Sequence, residues 1–276
     1  MEIKDFTKPG ATHNEDAIYT CEKFAFVIDG ATGLLKENIS DMPSDAQWFA
    51  QSLKNYLIEN LSNYSLSIKD IIRNAILEIN KKYNHFKGAD KITSKPSASI
   101  ALFRIYNDIL EYFILGDCAL IIKDYKNKIK HIKINDLTNL DNLNIKKMKS
   151  IACKNQIDVI DARNLINNDL LKTRLSQNTE EGYWIISDNL EAVNHALCGT
   201  MPVKNIKELI GISDGFSQIY DKFNYYTKKE LFEELNNNTI DSIYKTLWNL
   251  QEEDKLCNNF PRFKIRDDAS IFYIVF

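Results

Sequence analysis

Apolar residues along this chain fall into two rhythms. Short continuous or alternating runs mark strands, and stripes at three- and four-residue spacing mark helices. The first run covers residues 17–28, with Glu22-Lys23 breaking it as a turn. Its second half, Phe24-Ala25-Phe26-Val27-Ile28, ends abruptly at Asp29-Gly30. A continuous apolar run of that length predicts a buried strand that carries an acid to its end. Two amphipathic helices follow. Ser44 and Gln47 have capping-box spacing ahead of one face made by Phe49, Leu53, Tyr56 and Leu57. The second helix starts near Ser67, with Asp70 three residues on, and carries Ile68, Ile71, Ile72, Ala75, Ile76, Ile79 and Tyr83 as its stripe.

Strand patterning returns at 97–105 and 109–115, which flank the hairpin signal Asn107-Asp108. Gly116-Asp117 interrupts the pattern before Ala119-Leu120-Ile121-Ile122 resumes it. Residues 124–180 are Lys- and Asn-rich with few periodic stretches, which predicts strand ends followed by an irregular surface insertion. Tyr183-Trp184-Ile185-Ile186 restores order, and a helix is expected over 190–197. A strand at 209–213 ends on Asp214-Gly215, a helix covers 239–250, and the last strand, 270–276, follows Arg266-Asp267-Asp268. No repeat or linker divides the chain, so the pattern predicts one α+β domain over residues 1–276.

Composition narrows the function classes. Nine glycines and five prolines in 276 residues exclude collagen-like, Gly/Ser-linker and proline-rich sequence. Net charge is −3, and the densest basic stretch, 123–133, is diluted by Asp124, Asn127 and alternating isoleucines. It reads as the solvated face of a strand pair, which argues against a nucleic-acid partner. No apolar run approaches the roughly 18 residues that span a bilayer, and the N-terminus has no signal-peptide character, so neither membrane nor export is expected. Five scattered cysteines without a C-x-x-C predict no disulfide framework or zinc site, a reducing cytoplasmic setting, and mostly small core residues.

Chemistry gathers at strand ends. Asp29, Asp214 and Asp267 each adjoin the end of an apolar strand, and Asp16 precedes the first one. Carboxylate oxygens are the hard ligands that Mg²⁺ and Mn²⁺ prefer. Converging strands would bring these acids to one edge, and the glycines after Asp29 and Asp214 let the backbone approach closely. Taken singly, Asp-Gly is also the ordinary mark of a turn.

The order of these motifs resembles the PP2C-type metal-dependent Ser/Thr protein phosphatases along nearly the whole chain. Asn14-Glu15-Asp16-Ala17 is similar to the acid pair before the family's first strand, and Phe26-Val27-Ile28-Asp29-Gly30 to its strand ending in D-G. Ser97-Ala98-Ser99-Ile100 with Gly116-Asp117-Cys118 looks like the central serine and G-D-S segment, Cys118 replacing serine. Ile212-Ser213-Asp214-Gly215 matches S-D-G, and Asp267-Asp268-Ala269-Ser270-Ile271 matches the closing D-[ND] and strand.

The resemblance implies a four-layer α-β-β-α sandwich of two antiparallel sheets, with two Mg²⁺ or Mn²⁺ ions at one end. It assigns Asp29 as the bridge between ions, the Gly30 carbonyl to one ion, and Asp214 and Asp267 to the other. Glu15 and Asp16 would orient bound waters, and Asp117 would seat a third ion. A metal-bridging hydroxide would hydrolyse phosphoserine or phosphothreonine in a phosphoprotein, a signalling role, without a covalent intermediate. Two metals roughly 3.5–4 Å apart suit such a displacement. Ser187-Asp188 is set aside as a helix N-cap.

Three family features are absent. Ala11 stands at the phosphate-gripping arginine and Ala31 at a histidine; Lys8 or His13 are the nearby substitutes, His13 being the candidate phosphate ligand. Gln218 stands where a third ion's second acid belongs, with Asp221 close by. A PP2C-fold regulatory module with little turnover is therefore an alternative, and a metal-dependent nuclease shares the carboxylate chemistry but lacks a basic groove. Gly30, Gly116 and Gly215 adjoin the acids, and Gly33 lies just beyond the first. Valine at Gly30 should harm metal binding more than valine at Gly88.

Overall fold

The computed structural model describes residues 1–31, 38–92 and 95–276; Gly33 lies outside them. Among the described residues, ten strands form two antiparallel sheets. One contains β1 (Glu2–Lys8), β6 (Ala119–Lys123), β7 (Ile129–Ile132), β9 (Glu208–Ile212) and β10 (Ala269–Val275), in the order β1-β10-β9-β6-β7. The other contains β2 (Asp16–Thr20), β3 (Phe24–Ala31), β4 (Ser97–Tyr106), β5 (Ile109–Leu115) and β8 (Leu197–Pro202), ordered β2-β3-β4-β5-β8. Asn107 and Asp108 both take left-handed backbone, φ 48° and 60°, and close the β4–β5 hairpin. Asn and Asp tolerate that conformation where most residues do not.

Alternation along the strands builds the layers. In β3, Phe24, Phe26 and Ile28 pack under helices α1 (Asp45–Asn60) and α2 (Ile68–Tyr83), while Ala25 and Val27 face the opposite sheet. In β10, Ile271 and Tyr273 pack under α6 (Asp214–Asp221), α7 (Lys228–Asn237) and α8 (Ile240–Glu253), while Phe272 and Ile274 face inward. A strand covered on both faces must be apolar at every position, which is why both read as continuous runs. The result is the expected α+β, four-layer α-β-β-α sandwich. Ser44 and Ser67 cap α1 and α2, accepting from the Gln47 and Asp70 backbone N–H groups.

The insertion is not irregular. Residues 136–175 fold as α3 (Asp136–Asn155), α4 (Val159–Ala162) and α5 (Asn167–Leu175). Only Asn144, Met148 and Ala152 of α3 are buried, so its apolar stripe is too sparse to show as a period. These helices share a small separate core of Met148, Ala152, Val159, Ala162, Ile166, Leu170 and Cys257. They dock on the segment before β10: the Val159 amide donates to Asn258 Oδ1 at 3.0 Å, and the Ile160 amide to the Leu256 carbonyl at 3.2 Å.

Other expectations are also corrected. The 190–197 helix is a 3₁₀ stretch, Leu190–His195, that ends where β8 begins. Its cap is Asn189, not Ser187-Asp188; Asp188 pairs with Lys95 at 3.3 Å. Among the described residues, 183–186 pair with a named strand only at the Ala98–Ile186 bridge, beside a second bridge from Gln177 to Tyr183. The cysteines are not mostly core: Cys118 and Cys257 are buried, whereas Cys153 and Cys198 are exposed, and all five are free. No helix among the described residues is long and apolar enough to cross a membrane.

Candidate metal centre

Sheet register sets the site. Antiparallel pairing of β2 with β3 places Asp16 opposite Asp29, and β3 with β4 places Asp29 opposite Ser99. Asp117 lies in the β5–β6 turn and is clamped by Ser99, whose hydroxyl donates to Asp117 Oδ1 at 2.6 Å and accepts from its amide at 3.2 Å. From the other sheet, Asp214 opens α6 just after β9, and Asp267 precedes β10, which pairs with β9. Strands from both sheets thus end together, and their acids meet although far apart in sequence.

Asp29, Gly30, Asp117, Asp214 and Asp267 line one cavity of about 700 Å³. Asp16 sits behind them, 2% exposed. Its Oδ2 accepts from the Ser213 hydroxyl at 3.0 Å, and Ser213 in turn accepts from the Ser270 amide at 3.0 Å. Its Oδ1 is buried with no partner among the described residues. Glu15 is directed elsewhere: Oε1 accepts from the Ser44 hydroxyl at 2.5 Å and stands 3.3 Å from His13 Nε2. The His13 ring is held between Glu15 and Thr12, and neither His13 nor Glu15 lines the cavity. Lys8 and Ala11 are exposed. Gln218 accepts from Gln251 Nε2 at 3.2 Å, and Asp221 accepts from the Ser217 hydroxyl at 2.7 Å.

Charge crowding is severe without a cation. Burial pushes Asp16 up to about 8, helped by the charges of Asp268 and Asp267. Burial likewise raises Asp29 well above the usual carboxylate range, followed by Asp16, Asp214 and Asp117. Asp214 is raised by burial, then by Asp117 and Asp267, with partial relief from a hydrogen bond to Asp29. Like charges gathered in a desolvated pocket cannot all ionise unless something positive joins them. A set of carboxylate oxygens, an Asp16 Oδ1 with no partner among the described residues, and Asp29 and Asp117 oxygens within 4.8 Å of each other and of Cys118 Sγ fit a hard divalent ion. Cys118 itself is buried, and burial followed by Asp29 pushes its thiol far up, so sulfur stays protonated and is a poor ligand.

Gly30 completes the geometry. A Cβ there would stand 2.6 Å from the Glu15 carbonyl oxygen and 2.9 Å from that of Ala46. Gly30→Val should therefore displace β3 at its acid, lowering Mn²⁺ affinity by about tenfold or more and stability by about 1–3 kcal/mol. Gly88→Val is a fitting control: Gly88 has φ 96° and a Cβ there would meet only Ile39 Cγ2 at an ordinary 3.8 Å, so it should lose stability and keep metal affinity. Equal loss of Mn²⁺ affinity in both variants, measured by calorimetry, would refute the role given to Gly30.

Several site residues had no role in the motif reading. Asp268 is a strut, accepting from the Gly10 amide at 2.7 Å and the Glu15 amide at 2.6 Å. Lys264 lies 2.7 Å from Asp267 Oδ1. Asp141 of α3 lines the same cavity, pushed up to about 7 by burial and then by Asp117. Arg163 and Arg174 line it from the insertion. Asp268 stood within the closing motif and Lys264 three residues before it began, whereas Asp141, Arg163 and Arg174 come from the stretch without periodicity.

No protein-family profile matches the sequence, and no curated protein sequence matches it. Solved structures do. The serine/threonine phosphatase Stp1 from Staphylococcus aureus is similar over 100% of this chain and 94% of its own, with TM-score 0.57 and 13% identity. The Mycobacterium tuberculosis serine/threonine phosphatase PstP is similar over 99% of this chain and 97% of its own, with TM-score 0.58 and 11% identity. The catalytic domain of serine/threonine protein phosphatase PstP in complex with two manganese ions is similar over 99% and 96%, with TM-score 0.53 and 11% identity. The chain thus has the fold of the bacterial serine/threonine phosphatases, the PP2C-type sandwich that its motif order implied.

Proposed function

We propose that this protein is a Mg²⁺- or Mn²⁺-dependent phosphatase that hydrolyses phosphoserine and phosphothreonine in proteins, as a cytoplasmic signalling enzyme. The observation that carries this reading is the convergence of Asp29, Asp117, Asp214 and Asp267 on one cavity at the sandwich end. The fold supports it, and so does the two-manganese complex of a structure with that fold.

In this reading Asp29, the Gly30 carbonyl, Asp214 and Asp267 would hold the two ions, with Asp29 the residue shared between them. Such ions lower the pKa of a water and offset the charge of a phosphate ester. Asp16, locked by Ser213, orients water through its otherwise partnerless Oδ1. Glu15 steadies the centre from behind, since its carbonyl accepts from the Gly30 amide at 3.2 Å. Asp117 and Asp141 offer further oxygens, and Lys264 offsets the charge of Asp267. No side-chain nucleophile is assigned, because the thiol nearest the cluster, Cys118, is fully buried and held protonated.

The test is phosphate release from an aryl phosphate and a phosphothreonine peptide by chelator-stripped protein, with and without added Mn²⁺. Metal-dependent turnover of both is expected. Tight Mn²⁺ binding without turnover would replace this reading with the regulatory module, and salt-sensitive DNA cleavage would replace it with the nuclease.

A further inference from the structure

The phosphatase reading leaves the substrate's phosphate without a guanidinium at its N-terminal side, where Ala11 stands exposed. We propose that Arg163 and Arg174, both from the helical insertion, form the phosphate-gripping subsite of this cavity. The inference rests on the phosphatase reading and adds the residues that hold the substrate.

Three observations support it. First, α5 presents Asn167, Leu171 and Arg174 to the cavity, at i, i+4 and i+7, so one helix face covers the acids. Arg163, on the turn entering that helix, lines the same space. Second, Arg174 is fixed to the metal edge: its Nη2 donates to the Ala31 carbonyl at 2.9 Å, one residue beyond Gly30. Its Nε is buried and has no hydrogen-bond partner among the described residues. Third, the other cation on this lining, Lys264, is occupied by Asp267 at 2.7 Å, whereas Arg163 has no ion pair among the described residues.

A planar guanidinium offers paired N–H donors that match two oxygens of a phosphate, a geometry that lysine cannot reproduce. Two of them on the lining shared with the carboxylates would hold the phosphate dianion beside the bound ions. The insertion then does the work that the family resemblance placed near residue 11, and its docking against 256–258 keeps both arginines in register with the acids.

Calorimetry of inorganic phosphate binding to Mn²⁺-loaded protein tests this, alongside Mn²⁺ titrations and peptide kinetics. Arg163→Gln and Arg174→Gln should each weaken phosphate binding by about 10- to 100-fold. Mn²⁺ affinity should be unchanged, and the loss in peptide hydrolysis should fall mainly on KM. Arg174→Lys should recover only part of the loss and shows whether the Ala31 contact alone explains it. Lys172→Gln, an exposed change on the same helix, should do nothing. Wild-type turnover with unaltered phosphate affinity in the double glutamine variant would overturn the arginine subsite alone. Absence of turnover and of phosphate binding in Mn²⁺-loaded wild type would overturn the phosphatase reading and this subsite with it.

Discussion

Asp29→Asn should lower metal-dependent kcat/KM by about 10³-fold or more, a loss of about 4 kcal/mol in transition-state stabilisation. Asp29 lies on β3 directly between Asp16 of β2 and Ser99 of β4, so no neighbouring carboxylate can swing into its place without breaking the ladder. The amide is nearly isosteric with the protonated acid and cannot take on the charge that burial and then Asp16, Asp214 and Asp117 oppose. Metal-free Asp29→Asn protein should therefore melt at the same temperature as wild type or higher. Loss of turnover with a retained or raised melting temperature separates a role in metal holding from a role in folding. Activity surviving the substitution would refute the bridging assignment.

The second large effect is a pH-dependent stability that metal should abolish. Asp16, Asp29 and Asp214 bind protons more tightly folded than unfolded, chiefly because burial disfavours their charged forms. For acids with raised values, stability is fully present below the unfolded pKa, near ~4, and is lost as pH climbs through the folded one. For Asp16 the folded value is about 8. His131 acts in the opposite sense: burial followed by Lys228 lowers it from 6.5 to about 4, so its penalty is confined to pH below 6.5. Between pH 6.5 and 8 the carboxylates dominate. Stripped protein should melt at progressively lower temperature across that window, and saturating Mn²⁺ should raise the melting temperature most at pH 8. A metal-induced shift that is the same at both ends would show that the acids are not coupled to the ion.

Much of this architecture is legible because burial on two faces leaves a strong mark. β3 and β10 are continuous apolar runs, and each meets an acid at the site edge, so strand and chemistry announce each other. The β4–β5 hairpin is equally visible, since Asn107-Asp108 takes the left-handed backbone that few other pairs accept. Edge strands β1 and β8 escape the pattern, being exposed at many positions and held by pairing with β10 and β5. The insertion escapes it for a different reason. Its helices bury few side chains against a small core, and their arginines face a cavity, where no repeat is imposed on the sequence. Spacing also could not reveal that Glu15 turns to Ser44 while Asp16 turns inward, because alternation gives the face and not the partner. Acids at strand ends were thus readable one by one, whereas the cations that answer them were not.

The most direct measurement is a Mn²⁺ anomalous difference map from crystals of the stripped protein soaked in Mn²⁺. Two peaks are expected, both in contact with Asp29, one reached by the Gly30 carbonyl and the other by Asp214 and Asp267. A map with no peak at Asp29, or with Mn²⁺ bound only elsewhere on the protein, would contradict the account.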